Sequence, residues 1–176
     1  MTGATDTDTA VPTSTFERDI RDVMPALLAY FVRRVRPQED AADCLSETLV
    51  VLWRRRADLP TNPDAQRAWT FGIARGVLAN QRRGRVRQTQ LADRLRSEIA
   101  VQPAQAADST DTESALDALP ERDRELVTLI VWDGFGVAEA GELLGLKPDA
   151  ARARYSRARK RLRESLAAEQ SSTGTK

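Results

Sequence analysis

The residues best equipped for chemistry in this sequence are arginines. Between Gln66 and Arg96 there are eight, at 67, 75, 82, 83, 85, 87, 94 and 96, against Asp93 alone on the acidic side. Between Lys147 and Arg163 another eight basic residues, at 147, 152, 154, 157, 159, 160, 161 and 163, stand against Asp149. Guanidinium groups at this density hold phosphate oxygens or pair with guanine edges. Two such clusters, far apart in the chain, predict two contacts with a nucleic-acid backbone. The net charge of +1 conceals this because it sums segments of opposite sign.

Other chemistry is largely excluded. The chain has no histidine and one cysteine, Cys44, so an intramolecular disulfide, a Cys/His zinc site and imidazole catalysis are ruled out. Its carboxylates are scattered among basic residues, which solvated helix faces explain better than the alternative of a carboxylate-only catalytic site. The expectation is a protein with no catalytic residue, no metal and no cofactor, which is not an enzyme. Cys44 is expected to pack as a small hydrophobe and not to serve as a redox sensor. No apolar run approaches the roughly 20 residues that span a bilayer, so no membrane insertion is expected. Met1 to Thr15 is rich in Thr and Asp and lacks a secretory signal's basic start and apolar stretch, which predicts a cytoplasmic protein.

The arginines must be carried by helices, because apolar residues recur at helical spacing and no run alternates as a strand would. The fold class expected is all-α: two small helical domains joined by a flexible linker, the second containing a helix-turn-helix. In the first domain, residues 16–96, one helix is predicted over Phe16 to Val35, with Ile20, Val23, Leu27, Phe31 and Val35 inward and a bend at Pro25. A second follows over Gln38 to Ala57, its inner face Ala41, Leu45, Thr48, Leu49 and Leu52. The turn cluster from Asp58 to Pro63 forces a break. A third helix begins near Asp64 with Trp69, Ile73, Val77 and Leu78 inward, and Gly84 is read as a break or bend.

Residues 97–113 contain Pro103, four acidic residues and no basic one, and are read as an acidic linker. Residues 1–15 and 169–176 hold too few apolar side chains to pack and are expected to be disordered. The second domain, 114–168, opens with Leu116, Leu119 and Pro120 and continues as an apolar helix through Leu126, Val127, Leu129, Ile130 and Val131 to Asp133-Gly134. A short helix from Val137 to Leu144, a turn at Gly145 and a basic helix opened by Pro148 then have helix-turn-helix proportions. Ala140 is small where the two helices approach, and Leu144 and Leu146 fill the angle between them. The outer face of the last helix carries Arg152, Ser156, Arg159 and Arg163, flanked by Arg154 and Arg157, and Ala151, Tyr155, Ala158 and Leu162 face inward. Acidic residues dominate from Asp117 to Glu142, so only the last helix of this domain favours phosphate.

At these motifs the sequence resembles the extracytoplasmic-function (ECF) sigma factors of RNA polymerase, the compact class that keeps regions 2 and 4. Ala118-Leu119-Pro120-Glu121-Arg122 and the run from Ala151 to Leu162 resemble region 4. Glu39-Asp40-Ala41-Ala42-Asp43 with Glu47, Thr48 and Trp53 resembles the polymerase-binding helix of region 2. Ala68-Trp69-Thr70-Phe71-Gly72-Ile73-Ala74-Arg75 with Asn80, Arg82 and Arg83 resembles its promoter-melting helix.

The resemblance implies an alternative sigma factor that binds core RNA polymerase and directs promoter-specific transcription initiation. Asp43, Glu47 and Trp53 would meet the polymerase clamp. Trp69, Arg75, Asn80, Arg82 and Arg83 would serve the melted minus-ten strand, with Thr61 and Asn62 in a loop able to receive a flipped base. Helical spacing makes Trp69 a core residue before a stacking platform. Arg152, Ala153, Arg154, Ser156, Arg157 and Lys160 would lie on the minus-thirty-five element, Arg152 and Arg157 being the principal contacts. Promoter DNA, core polymerase and an anti-sigma factor are the partners implied. Cys44 departs from the aliphatic residue usual beside Asp43, and Ala153 and Ser156 are smaller than is common in the family. The competing reading is a helix-turn-helix regulator acting on duplex DNA without polymerase, which leaves the first domain idle.

Overall fold

The computed structural model describes residues 13–96 and 115–173, with side-chain surroundings over 16–88 and 115–167. The acidic linker lies outside the described residues. The described residues are helical with turns between, and they fall into two compact units, divided between Ile99 and Ala100. Among them no helix is long and apolar enough to cross a membrane.

Unit 1 packs three helices: α1 (Thr13–Val32), α2 (Asp40–Arg54) and α3 (Pro63–Arg96), with a single 3-10 turn at Arg56–Asp58. Helical periodicity puts Leu27, Phe31 and Val35 in one core with Ala41, Leu45, Thr48, Leu52, Ile73, Val77 and Leu78, all buried. Tyr30 and Phe71 join them edge to face, ring centres 5.6 Å apart. Such an aromatic pair adds roughly 0.5–1.5 kcal/mol beyond its buried area. Thr48 is fully buried at no polar cost because its hydroxyl donates to the Cys44 carbonyl at 2.7 Å.

Several boundaries differ from the sequence expectation. Helix α1 stops at Val32, short of Val35, although Val35 is still held by its amide donating to the Phe31 carbonyl at 2.8 Å. Helix α2 begins two residues after Gln38 and ends at Arg54, the chain tightening into the 3-10 turn that ends at Asp58. Helix α3 runs unbroken through Gly84, because a lone glycine costs a helix only about 1 kcal/mol and supplies no steric reason to stop. Pro25 likewise lies inside α1 on its exposed side.

Unit 2 contains a helical turn at 115–117 and three helices: α4 (Glu121–Val131), α5 (Val137–Leu143) and α6 (Pro148–Thr173). Leu116, Leu119, Val127 and Ala158 form a buried cluster, with Tyr155 and Leu162 packed on it. Helix α6 passes the expected end at 168 and extends to Thr173, five residues into the stretch read as a disordered tail.

The turn between α5 and α6 fixes their angle. The Gly145 amide donates to Glu142 at 2.9 Å and the Leu146 amide to Gly141 at 2.8 Å. With Gly145 at φ 67°, this pair of bonds is a Schellman ending, which places glycine where other residues would be strained. Glu139 closes the other end of α5 by accepting the Gly136 amide at 2.7 Å. The helices touch at Gly141, where a Cβ would lie 2.6 Å from that of Ala151. We predict that Gly141→Ala pries α5 from α6 and lowers unfolding stability by about 1–3 kcal/mol. A urea titration of the variant matching that of the parent would refute the close approach.

Candidate nucleic-acid and polymerase interfaces

Helix α6 offers its arginines because one narrow stripe is enough to attach it. Ala151 and Ala158 are fully buried, and Tyr155 and Leu162 are half-buried beside them. The remaining circumference is free for charge. Arg152, Ala153, Ser156, Arg157 and Lys160 are all exposed. Arg152 and Ser156 line an open cleft of about 190 Å³ with Val137, Tyr155, Arg159 and Arg163. Arg159 and Arg163, which periodicity placed on the outer face, thus join Arg152 and Ser156, whereas Arg157 and Lys160 lie outside that cleft lining.

Arg152 is paired to Asp149 at 2.8 Å, and Lys160 to Glu164 at 3.8 Å. Both pairs are well exposed to solvent, so water screens them and phosphate can replace the carboxylate at little cost. Arg154 is placed differently from the expectation that groups it with the exposed contacts. Its guanidinium turns back to α4 and meets the buried carboxylate of Asp123 at 3.1 Å. Its position on the flank of the apolar stripe puts that carboxylate within reach, and a buried charge draws a counter-ion strongly.

In unit 1 the denser part of the basic run, from Arg82, lies on α3 after the turns that bury Thr70, Phe71, Ile73, Ala74, Val77 and Leu78. Asn80, Arg82 and Arg83 are exposed, Arg83 donating to the Asn80 side chain, and Arg75 is half-buried. Trp69 is half-buried with the Arg55 guanidinium 5.6 Å from its ring centre. Its placement is therefore intermediate between core and platform. Thr61 is exposed in the loop before α3. Asn62 has a structural duty there: its side-chain oxygen accepts the Asp64 amide at 2.9 Å and the Ala65 amide at 3.1 Å, capping α3.

Asp43 and Glu47, one turn apart on α2, are both exposed. Val50 continues that side at 47% exposure, an apolar residue off the core periodicity that sequence reasoning passed over. Trp53 is 43% exposed, with Phe16 edge-on at 5.8 Å and the Arg56 guanidinium 4.7 Å from its ring centre. Among the described residues no cluster of His, Cys, Asp or Glu could hold a metal ion.

A three-helix unit with an acidic helix face and a basic third helix is followed by a helix-turn-helix with an arginine-rich last helix. Residues 20–88 match the family Sigma-70 region 2, and residues 110–162 match Sigma-70, region 4. The chain is 33% identical over 144 residues to the ECF RNA polymerase sigma factor SigF of Caulobacter vibrioides, covering 80% of this chain and 79% of that one. It is 28% identical over 155 residues to the ECF RNA polymerase sigma factor EcfG of Rhodopseudomonas palustris, covering 85% and 84%. The solved sigma factor RpoE from Bartonella quintana, in complex with the anti-sigma factor NepR, superposes with a TM-score of 0.70 at 30% identity, over 88% of this chain and 98% of that one. The chain belongs to the ECF RNA polymerase sigma factor family. It is a transcription initiation factor and not an enzyme.

Cys44 sits beneath the acidic face of α2 and is 3% exposed. Burial pushes its thiol up from the ordinary value, and the charges of Glu47, Asp40 and Asp43 push it further in the same direction. The protonated thiol is a poor nucleophile. We predict that iodoacetamide alkylates Cys44 at least about tenfold more slowly in the folded protein than in the denatured chain at mildly alkaline pH. Equal rates in the two states would refute the packing role.

Proposed function

We propose that the chain assembles with core RNA polymerase in the cytoplasm and carries it to promoters through two separate DNA contacts. In this reading Asp43, Glu47 and Trp53 on α2 meet the polymerase clamp. Exposed Val50 and Trp53, one turn apart on α2 and on the same helix as the two exposed carboxylates, support this, because adjoining exposed apolar side chains suit a docking face. Arg75, Asn80, Arg82 and Arg83 hold the opened minus-ten strand, with Trp69 and the loop at Thr61 and Asn62 supporting them. Arg152, Ala153, Ser156, Arg157 and Lys160 face the minus-thirty-five element.

The observation that carries the proposal is the joint presence, in this order, of the region 2 and region 4 matches, each with its basic helix exposed. A regulator that acts on duplex DNA without polymerase would explain unit 2 but assign no work to unit 1. An inhibitory protein partner is proposed by analogy with the RpoE of Bartonella quintana, solved with an anti-sigma factor bound. Purification of the chain from its native cells should bring such a partner with it, and recovery of polymerase subunits alone would count against one.

The deciding experiment is transcription of native genomic DNA by core polymerase with and without the purified chain. Defined start sites preceded by two shared sequence elements are expected only when the chain is present. Absence of any chain-dependent start would end the proposal. Two substitutions separate the roles. Asp43→Arg should impair assembly with core polymerase while unit 2 still folds, and normal assembly would refute the docking face. Arg157→Ala should weaken minus-thirty-five recognition by about 1–3 kcal/mol if the guanidinium reads a base edge. Unchanged promoter preference would remove Arg157 from the reading set.

A further inference from the structure

We infer that Arg154 and Arg161 are not DNA contacts but positioning residues, which act through the buried carboxylate of Asp123 to fix the rotation of α6 about its own axis. The inference rests on the minus-thirty-five role proposed above for that helix, and it identifies what aims the helix.

The apolar attachment of α6 is shallow. Two of the side chains in its stripe, Ala151 and Ala158, are alanines, which form no ridge deep enough to lock into a neighbouring groove. Tyr155 and Leu162 add packing but are only half-buried, so contacts on the flank of the stripe contribute to setting the rotation. Asp123 stands in the first turn of α4, 9% exposed as a residue, and its carboxylate meets α6 with both oxygens. Arg154 Nη1 lies 3.1 Å from Oδ1 and Arg161 Nη1 lies 3.7 Å from Oδ2. The two arginines are seven residues apart, about two turns or roughly 10 Å along the axis. Both end on one carboxylate: Arg154, the shorter and more buried contact, is the main anchor, and Arg161, with 57% of its side chain exposed, adds a weaker hold from two turns further along α6.

The position of the anchors gives them leverage. At about 100° per residue, 154 and 161 fall on one flank of the apolar stripe, and 152, 159 and 163 fall on the other. A rotation of roughly 10° would move a side chain about 6 Å from the axis by about 1 Å. Hydrogen bonds to a base edge do not survive such a displacement unweakened. The carboxylate cannot exchange its partners for phosphate without leaving a charge buried and unpaired, so this pair is held while the exposed Arg152 to Asp149 pair is not. Arg154 also has 30% of its side chain exposed against 65% for Arg152.

The test uses full-length chain assembled with core polymerase. The probes are the most enriched duplex from a randomised pool selected with the wild-type holoenzyme, and a scrambled duplex of the same composition. Asp123→Asn removes a negative charge, which by charge alone would favour any DNA. The expected result is instead a loss of about tenfold in preference for the enriched duplex, with affinity for the scrambled duplex not reduced. Arg154→Met should show the same loss, the double variant should be no worse than either single one, and Arg154→Lys should recover part of the preference. Arg161→Met leaves the Arg154 pair intact and should shift preference in the same direction by less. It keeps the inference open to refutation if Asp123→Asn fails to fold. If Arg154→Met weakens binding to both duplexes alike and lowers the salt slope by about one, Arg154 is a phosphate contact and the inference is wrong. A wild-type holoenzyme that enriches no sequence overturns the promoter-reading proposal and this inference with it. An enriched duplex that the Asp123→Asn and Arg161→Met proteins prefer as strongly as wild type does overturns this inference alone.

Discussion

A helix that must present arginine over most of its circumference has little surface left with which to hold on to its own domain. Helix α6 meets this constraint with a stripe of Ala151, Tyr155, Ala158 and Leu162. Its two alanines give closeness more than grip, so the attachment also depends on features outside the stripe. Gly141 lets α5 come within van der Waals range of Ala151, and the glycine-ended turn at Gly145 fixes where α6 starts. Asp123 then binds one flank. Each feature acts on a different freedom of the helix: its distance, its origin and its rotation.

Helix α3 faces the same difficulty and solves it along its length instead of around its circumference. Its earlier turns bury Thr70, Phe71, Ile73, Ala74, Val77 and Leu78 with Arg67 and Arg75 set around them, and the denser basic run from Arg82 follows. The transition is marked by Asp40 on α2, whose carboxylate accepts from Gln81 at 3.2 Å and pairs with Arg85 at 3.6 Å. An acidic residue in the first turn of one helix thus meets the arginine-bearing helix in both units, where the positive end of the helix dipole already favours the carboxylate. The two differ in burial. The Asp40 and Arg85 side chains are 38% and 45% exposed, so their pair is screened and contributes little, whereas the Asp123 carboxylate is 12% exposed and needs its partners.

Much of this was legible from residue spacing. Ala41, Leu45, Thr48 and Leu52 on α2, Ile73, Val77 and Leu78 on α3, and Leu27, Phe31 and Val35 follow helical periodicity because burial in a small bundle is decided one helix face at a time, whereas Ile20, Val23, Leu49 and Trp69, also expected inward, are only half-buried. The ends were less legible. Spacing carries the first helix to Val35 whereas α1 stops at Val32, and Gly84 carries the signature of a break that backbone hydrogen bonding overrides. Gly141 was missed because a lone glycine in a helix looks like a weakness until the neighbouring helix is known to lie against it. The exposed residues Arg152, Ser156, Arg159 and Arg163 were grouped on one face by spacing alone.

Arg154 shows why the remainder of the site could not be read in advance. A residue on the flank of an apolar stripe has two environments within reach, and its own chemistry suits both: a guanidinium pairs as readily with carboxylate as with phosphate. Which one it takes depends on a residue 31 positions away in the chain, Asp123. The aspartate is itself unremarkable in sequence, one acid among several near the start of α4. Only its burial makes it demand two counter-charges, and burial follows from how α4, α5 and α6 close on one another. Charge density therefore located the basic helix, while the pairing of Arg154 with Asp123 emerges only from the packed domain.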